Sequence, residues 1–238
     1  MVAALKDIGP IERALTLGDR VDAHLRQLLI GGRLAPGEKL SLRAVGLALG
    51  VSMMPAREAV SRLVAEHALE VAPNRTVRVP VMTLSHFREL TRVRIVVEGY
   101  AAAEAAQKAG KIALDTIAQY DTAFRRESEK HTPDLALAVA LNKDLHFSVY
   151  AAADMPVLMQ IIERLWLQIG PVLNLDLRGS PTRLREGAAK SWHRELVAGL
   201  ADKNPERARA AIEGDITSAA TAIESRGILV VESDTSWT

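Results

Sequence analysis

Between Ser41 and Glu66, two short amphipathic patterns are separated by one tight turn, and this arrangement restricts what the N-terminal part can fold into. Ser41 is placed to cap a helix carrying Leu42, Val45 and Leu49, and Gly50 follows where a left-handed residue commonly ends a helix. Ser52 is placed to cap the next helix, with Pro55 in its first turn, where a missing N–H does no harm. Ala56, Val60, Leu63 and Val64 give that helix an apolar stripe, and Arg57 and Arg62 fall off it. An earlier helix starts at Asp19, buries Val21, Leu25, Leu28 and Leu29, and stops at Gly31-Gly32 before a turn at Pro36-Gly37. After Leu69 the period shortens. Glu70-Val71-Ala72, a turn at Pro73-Asn74-Arg75, and Thr76-Val77-Arg78-Val79 predict a hairpin.

Beyond Pro80 and Thr83-Leu84-Ser85, which read as a boundary, the chain is helical almost throughout. Aromatic residues make up only 4% against 48% hydrophobic overall, a balance that favours packed helices over sheets. The first helix runs from Phe87 to about Ala109, with Leu90, Val93, Val97 and Ala101 as its spine and Gly110 closing it. Others cover about Leu114–Lys130, Pro133–Ala152, Met155–Leu173, Leu184–Ala201 and Asn204–Glu224. Gly170-Pro171 predicts a kink or break, 174–183 a loop, and the segment after Gly227 a loose tail. The expected fold is mainly α, a winged helix-turn-helix followed by an all-α antiparallel bundle. The expected division is a flexible arm over 1–16, a winged domain over 17–81, a helical domain over 85–226 and a tail over 227–238.

The absence of cysteine rules out disulfides and thiolate metal sites, and fits a reducing cytoplasm. No apolar run is long enough for a bilayer, and the charged start (Lys6, Asp7, Glu12, Arg13) does not read as a secretory signal, so a soluble cytoplasmic protein without a membrane partner is expected. Residues 1–81 hold roughly 11 basic and 8 acidic side chains, so the slight positive excess lies there, where nucleic acid would bind.

A helix-turn-helix works by leaving its second helix free to enter the major groove, while the first crosses behind it. Leu49-Gly50-Val51-Ser52 supplies the turn, and Met53–Glu66 the reader. The stretches Leu34-Ala35-Pro36-Gly37-Glu38-Lys39-Leu40, Leu49–Ser52 and Pro55-Ala56-Arg57-Glu58-Ala59-Val60-Ser61-Arg62-Leu63 resemble the GntR family of bacterial regulators over about residues 17–81. The resemblance implies a palindromic double-stranded operator. It implies Arg43 on the second helix, Ser52 at a phosphate, Met53, Met54 and Arg57 on the reader, and Arg75 and Thr76 at the wing tip as the DNA contacts. Met53 stands where the family usually has arginine and Thr76 where glycine is common. Loss of a bidentate base reader removes about 1–3 kcal/mol of discrimination, so the operator is expected to differ from those of relatives.

In the helical part, Asn142 and His146 share a face at i, i+4, and His193 and Asp215 lie on later helices. Two imidazoles and a carboxylate converging in a bundle core suit zinc or another divalent first-row metal. Most lone histidines, by contrast, are surface or satisfied core residues. Val93-Arg94-Ile95-Val96-Val97-Glu98, Asn142-Lys143-Asp144-Leu145-His146, Trp192-His193-Arg194 and Asn204-Pro205-Glu206-Arg207-Ala208 resemble the FCD effector domain of the FadR subfamily. That resemblance implies a homodimer and a metal that helps hold a small carboxylate effector. It gives Asn142, His146 and His193 as three ligands and Asp215 in the place of a fourth histidine. It also places Arg94 facing the cavity, where a guanidinium matches two carboxylate oxygens; by spacing alone, Arg94 equally pairs with Glu98 at i+4 in solvent. An alternative of another class is a metal-dependent hydrolase with a helical body, in which Asp144 or Glu163 would have to serve as general base. A third is a helical scaffold that uses its N-terminal domain for protein contacts.

Overall fold

Thr16 opens α1 (Leu17–Ile30) with a reciprocal cap. Its hydroxyl accepts from the Asp19 N–H at 3.1 Å, and the Asp19 carboxylate accepts from the Thr16 N–H at 2.9 Å. The computed structural model describes residues 16–72, 76–178, 184–185 and 187–231; among them are nine helices and one three-stranded sheet. The predicted arm over 1–16 lies, apart from Thr16, outside the described residues.

The helix-turn-helix forms where the caps predict it. The Ser41 hydroxyl accepts from Ala44 N–H to start α2 (Leu42–Leu49), and Gly50 ends it at φ 65°, a conformation that suits glycine. α3 (Met53–Ala65) buries Ala56, Ala59, Val60 and Leu63. Ser52 holds the N-cap position, but its side chain makes no capping bond. Arg26 spans from α1 to the end of α3, with its fork on Glu66 at 2.9 and 2.5 Å and its Nε on Asp22 at 2.5 Å. Arg62 is spent in the same way, on Asp19 at 2.6 Å and on Glu58.

The predicted hairpin is present as β2 (Glu70–Val71) and β3 (Val77–Arg78), although its turn at 73–75 lies outside the described residues. A third strand, β1 (Lys39–Leu40), joins on the other side of β3, pairing Lys39 with Arg78 and Leu40 with Val77. It was not legible as a strand, because two residues carry no alternation. It ties the segment before the helix-turn-helix into the wing.

The helical part contains α4 (Leu84–Lys108), α5 (Lys111–Ser128), α6 (Leu135–Ala152), α7 (Pro156–Arg178), α8 (Ala189–Ala201) and α9 (Pro205–Ser225). Three expectations are corrected. The α4 spine is corrected at one position: Leu90 and Ala101 are buried and Val97 packs on the core as expected, but Val93 is 41% exposed, and Arg94 and Glu98 face inward instead. α7 does not break at Gly170-Pro171 and runs on through the first part of the predicted loop. Ile169 and Val172, on either side of Pro171, are buried in one cluster with Met82, Phe87 and Ile223, which holds the helix together across the lost N–H. Residues 228–231 are not loose. Val230 forms a parallel bridge with Thr83, Leu84 N–H donates to its carbonyl at 2.9 Å, and Leu229 is buried.

α7 also seats the winged domain. Leu167 is fully buried within the core of that domain, together with Leu25, Leu29, Leu63 and Leu69. The Asn174 amide donates to the Ile30 carbonyl at 2.8 Å. At Gly170 an added Cβ would lie 2.7 Å from the Leu29 carbonyl oxygen and 3.0 Å from the Ile30 Cα, both backbone atoms with no room to yield. Gly170→Ala is therefore expected to cost about 1–3 kcal/mol of stability by overpacking, read by urea unfolding. A change within experimental error would show that α1 and α7 do not need this close approach.

Candidate functional site

α4, α6, α7, α8 and α9 converge on a buried polar centre. His146 projects from α6, His193 from α8 and Asp215 from α9, all three buried, with one donor atom from each lying within 4.8 Å of the others. His146 Nε2 is 3.3 Å from an Asp215 carboxylate oxygen. Asn142 lines the same cavity one turn before His146, as do Arg94, Trp166 and Phe124. The space enclosed is about 50 Å³. The convergence expected for His146, His193 and Asp215 is thus realised in the structure.

A chain of buried polar groups leads away from this centre. Arg94 donates from Nε to Glu98 at 2.6 Å and from Nη2 at 3.2 Å, and its guanidinium stacks 5.1 Å from the Trp166 ring centroid. The Arg94–Glu98 pair read from spacing does form, but in the core rather than in solvent. Tyr150 donates its hydroxyl to Glu98. Burial first, and the Glu98 charge next, raise the Tyr150 pKa well above normal, so this proton stays in place. With its hydroxyl hydrogen committed to Glu98, Tyr150 accepts from His146 Nδ1 at 3.0 Å. With Nδ1 turned to Tyr150, the other ring nitrogen, Nε2, faces Asp215. A proton on Nε2 or a bound cation would bridge this nitrogen and the carboxylate.

His193 carries a second unresolved demand. Both of its ring nitrogens are buried without any hydrogen-bond partner. Burial lowers its pKa to about 4, with His146 and Arg125 adding to the effect and Asp215 opposing it. Burial would raise the Asp215 pKa, but the His146 bond and the charges of His193, His146 and Arg94 outweigh it and hold the carboxyl below its usual value. The buried His193 imidazole, a carboxylate and a second imidazole with its Nε2 turned inward form a donor set that fits a divalent first-row cation. Tyr150 and Trp166 were not singled out from sequence, and Glu98 only as a partner of Arg94 in solvent. Tyr150 follows Asn142 and His146 at i, i+4, i+8, so the same spacing would have found it.

The second candidate surface is the reader helix. Arg43, Ser52, Met53, Met54 and Arg57 are all exposed, and neither Arg43 nor Arg57 has an ion-pair partner among the described residues. The Ser52 hydroxyl, free of capping duty, remains available to a ligand. Thr76 lies at the start of β3 and is partly buried, whereas Arg75 falls outside the described residues.

The lowered His193 pKa has a definite sign in stability. Unfolded, the ring protonates below 6.5; folded, it resists until about 4. The unfolded state therefore binds the extra proton first, and stability present above pH 6.5 is lost as pH falls toward 4, by about 3 kcal/mol for a shift of this size. Urea unfolding of chelator-treated protein at pH 7, 5.5 and 4, with His193→Phe as the reference, is expected to show this difference in slope. Parallel pH profiles for the two proteins would contradict it.

Comparison with known proteins matches both parts of the chain. Residues 17–79 match the bacterial regulatory proteins of the gntR family, and residues 89–218 match the FCD domain. The HTH-type transcriptional regulator McbR of Escherichia coli (strain K12) is 32% identical over 197 residues, spanning 82% of this chain and 86% of that protein. The solved structure of E. coli McbR/YncC matches with a TM-score of 0.82 at 28% identity, covering 90% of this chain and 99% of that one. A GntR transcriptional regulator from Rhodococcus sp. RHA1 shares the fold, with a TM-score of 0.70 at 22% identity over 87% of this chain and 97% of that one. These relatives are regulators, not enzymes. The hydrolase alternative also lacks its base, since Asp144 and Glu163 line a separate groove with Arg26 and Lys143. No helix among the described residues is long and apolar enough to cross a membrane. The two matched stretches are the parts that the structure builds as a capped helix-turn-helix with its wing and as a helical bundle, and the chain belongs to the GntR family of bacterial transcriptional regulators with an FCD domain.

Proposed function

We propose that this regulator binds a palindromic operator as a homodimer and senses a small carboxylate at a divalent metal held by His146, His193 and Asp215, with Asn142 beside them. The observation that carries the sensing half is the buried His193, whose two nitrogens lack any partner while two further donors converge within 4.8 Å. A bound cation would supply Lewis-acid coordination for carboxylate oxygens. Charge supports the order of events. Asp215 and Glu98 against Arg94 leave the centre with a net negative charge, which repels an anion until a divalent ion reverses the sign. Arg94 is already held by Glu98, so it helps orient an effector as one side of the cavity wall rather than as a free clamp. An enclosed space of about 50 Å³ restricts the ligand to a small one, since a single water needs roughly 10–15 Å³ by the same measure. Zinc suits the two imidazoles and the carboxylate; the Asn142 amide oxygen is the weakest donor of the set.

On the DNA side, Arg43, Ser52 and Arg57 supply contacts from the two helices, with Thr76 and Arg75 at the wing. Val93, Val96 and Tyr100 form an exposed apolar stripe on α4 that suits a second copy of the chain.

Two measurements test these assignments. Metal analysis of protein purified without chelator, paired with a thermal-shift series of hydroxy acids, sugar acids and dicarboxylates, is expected to show a bound divalent ion and a carboxylate shift that chelation abolishes. His146→Ala is expected to lose both, and a metal-free protein after reconstitution would overturn the metal assignment. In gel shifts, Arg57→Ala is expected to abolish specific operator binding. Unchanged affinity would remove α3 from the role of reader.

A further inference from the structure

α3 opens on two methionines, and both face solvent. Met53 is 49% exposed and Met54 72%, and Leu47 on the preceding helix reaches 84%. These side chains contribute nothing to the core, which α3 builds from Ala56, Ala59, Val60 and Leu63. Opposite that buried face, Met54, Arg57 and Ser61 form one ridge at i, i+3 and i+7, and Met53 lies one turn before Arg57 on its flank. The surroundings are those of a nucleic-acid surface: exposed unpaired Arg43 and Arg57, and a Ser52 hydroxyl that caps nothing. The N-terminal residues of a reader helix are the ones that meet base edges.

Base edges in the major groove present hydrogen-bond donors and acceptors, with one exception, the C5-methyl of thymine. A methionine donates no hydrogen bond and accepts one only weakly. Set against guanine O6 and N7, it desolvates two acceptors and returns nothing. Set against a thymine methyl, it buries apolar surface on apolar surface, and its flexible thioether adapts to the methyl's position. We propose that Met53 and Met54 are specificity-determining residues that select thymine, through its methyl group, at the operator positions they face, while Arg57 keeps the polar readout beside them. This inference rests on the DNA-binding role of α3 and goes beyond it by naming the base.

The test uses the full-length protein to select sites from a pool of randomised duplex DNA. Each thymine in the selected half-site is then replaced by uracil, which removes the methyl and leaves every hydrogen-bonding group in place. Binding is expected to weaken about four-fold for each methyl that the methionines contact. The Met53→Ala, Met54→Ala double variant is expected to bind thymine and uracil duplexes alike. Met53→Leu, which keeps an apolar side chain, is expected to retain the preference, and Met53→Arg to move it toward guanine at one position. Equal binding of the thymine and uracil duplexes by the natural protein, or a selected site without thymine at these positions, overturns the proposal and leaves DNA binding standing. A selection that enriches no sequence overturns the DNA-binding role and this inference with it.

Discussion

One helix belongs to three cores, and the relation between the two halves of the molecule depends on it. Leu167 of α7 lies in the core of the winged domain, and Ile162 and Trp166 in that of the bundle. Ile169 and Val172 pack with Phe87, Ile223 and Leu229 in a third cluster. Backbone contact at Gly170 and the Asn174 bond to Ile30 fix α1 against the same helix. The winged domain is therefore held by packed, hydrogen-bonded contact and not by the 80–83 connection alone. Packed interiors are stiff, so a displacement of α7 cannot be absorbed locally in all three clusters.

The polar centre is organised from the same helix. Trp166 covers the Arg94 guanidinium, Arg94 pairs with Glu98, Glu98 accepts from the Tyr150 hydroxyl, and Tyr150 is thereby left to accept from His146 Nδ1. A buried ion pair is weak evidence for stability, because desolvation offsets most of its attraction. Here its consequence is orientation. The pair sets the direction of a hydrogen-bond chain that ends with His146 Nε2 turned toward Asp215. Replacing Glu98 would free Arg94 and release that direction at once.

What was readable in the sequence divides along physical lines. The helix-turn-helix was legible because its signals are local: Ser41 as a cap, Gly50 in a left-handed conformation, Pro55 in a first turn, each set by backbone chemistry within a few residues. β1 left no such signal, and Val230 docks on Thr83 through backbone bonds that side chains do not announce. α4 was read correctly at Leu90, Val97 and Ala101 but not at Val93, for a more instructive reason. Periodicity assigns apolar residues to the inside, yet this helix turns Arg94 and Glu98 inward and Val93 and Val96 outward. The inversion arises because its inner face meets a buried polar centre, where Arg94 and Glu98 pair with each other and with Tyr150. At the buried polar centre, spacing paired Asn142 with His146, but nothing local brings in His193 and Asp215 from two other helices; family resemblance supplied that step.

Trp166 and Leu167 are neighbours in sequence and point into different cores, one toward the polar centre and one among Leu25, Leu29 and Leu63. A ligand acts on DNA binding only by fitting one arrangement of the protein better than another. A metal and carboxylate seated against Trp166 and Arg94 would have to favour one placement of that ring over others. The rigid helix carries the same choice to Leu167, and through Gly170 to the end of α1. Because α1 is clamped to α3 by Arg26 on Glu66 and Arg62 on Asp19, the reader moves with it as one body. In the proposed dimer, the separation between the two readers would then be the variable that an effector adjusts, and operator half-site spacing the property against which it is measured.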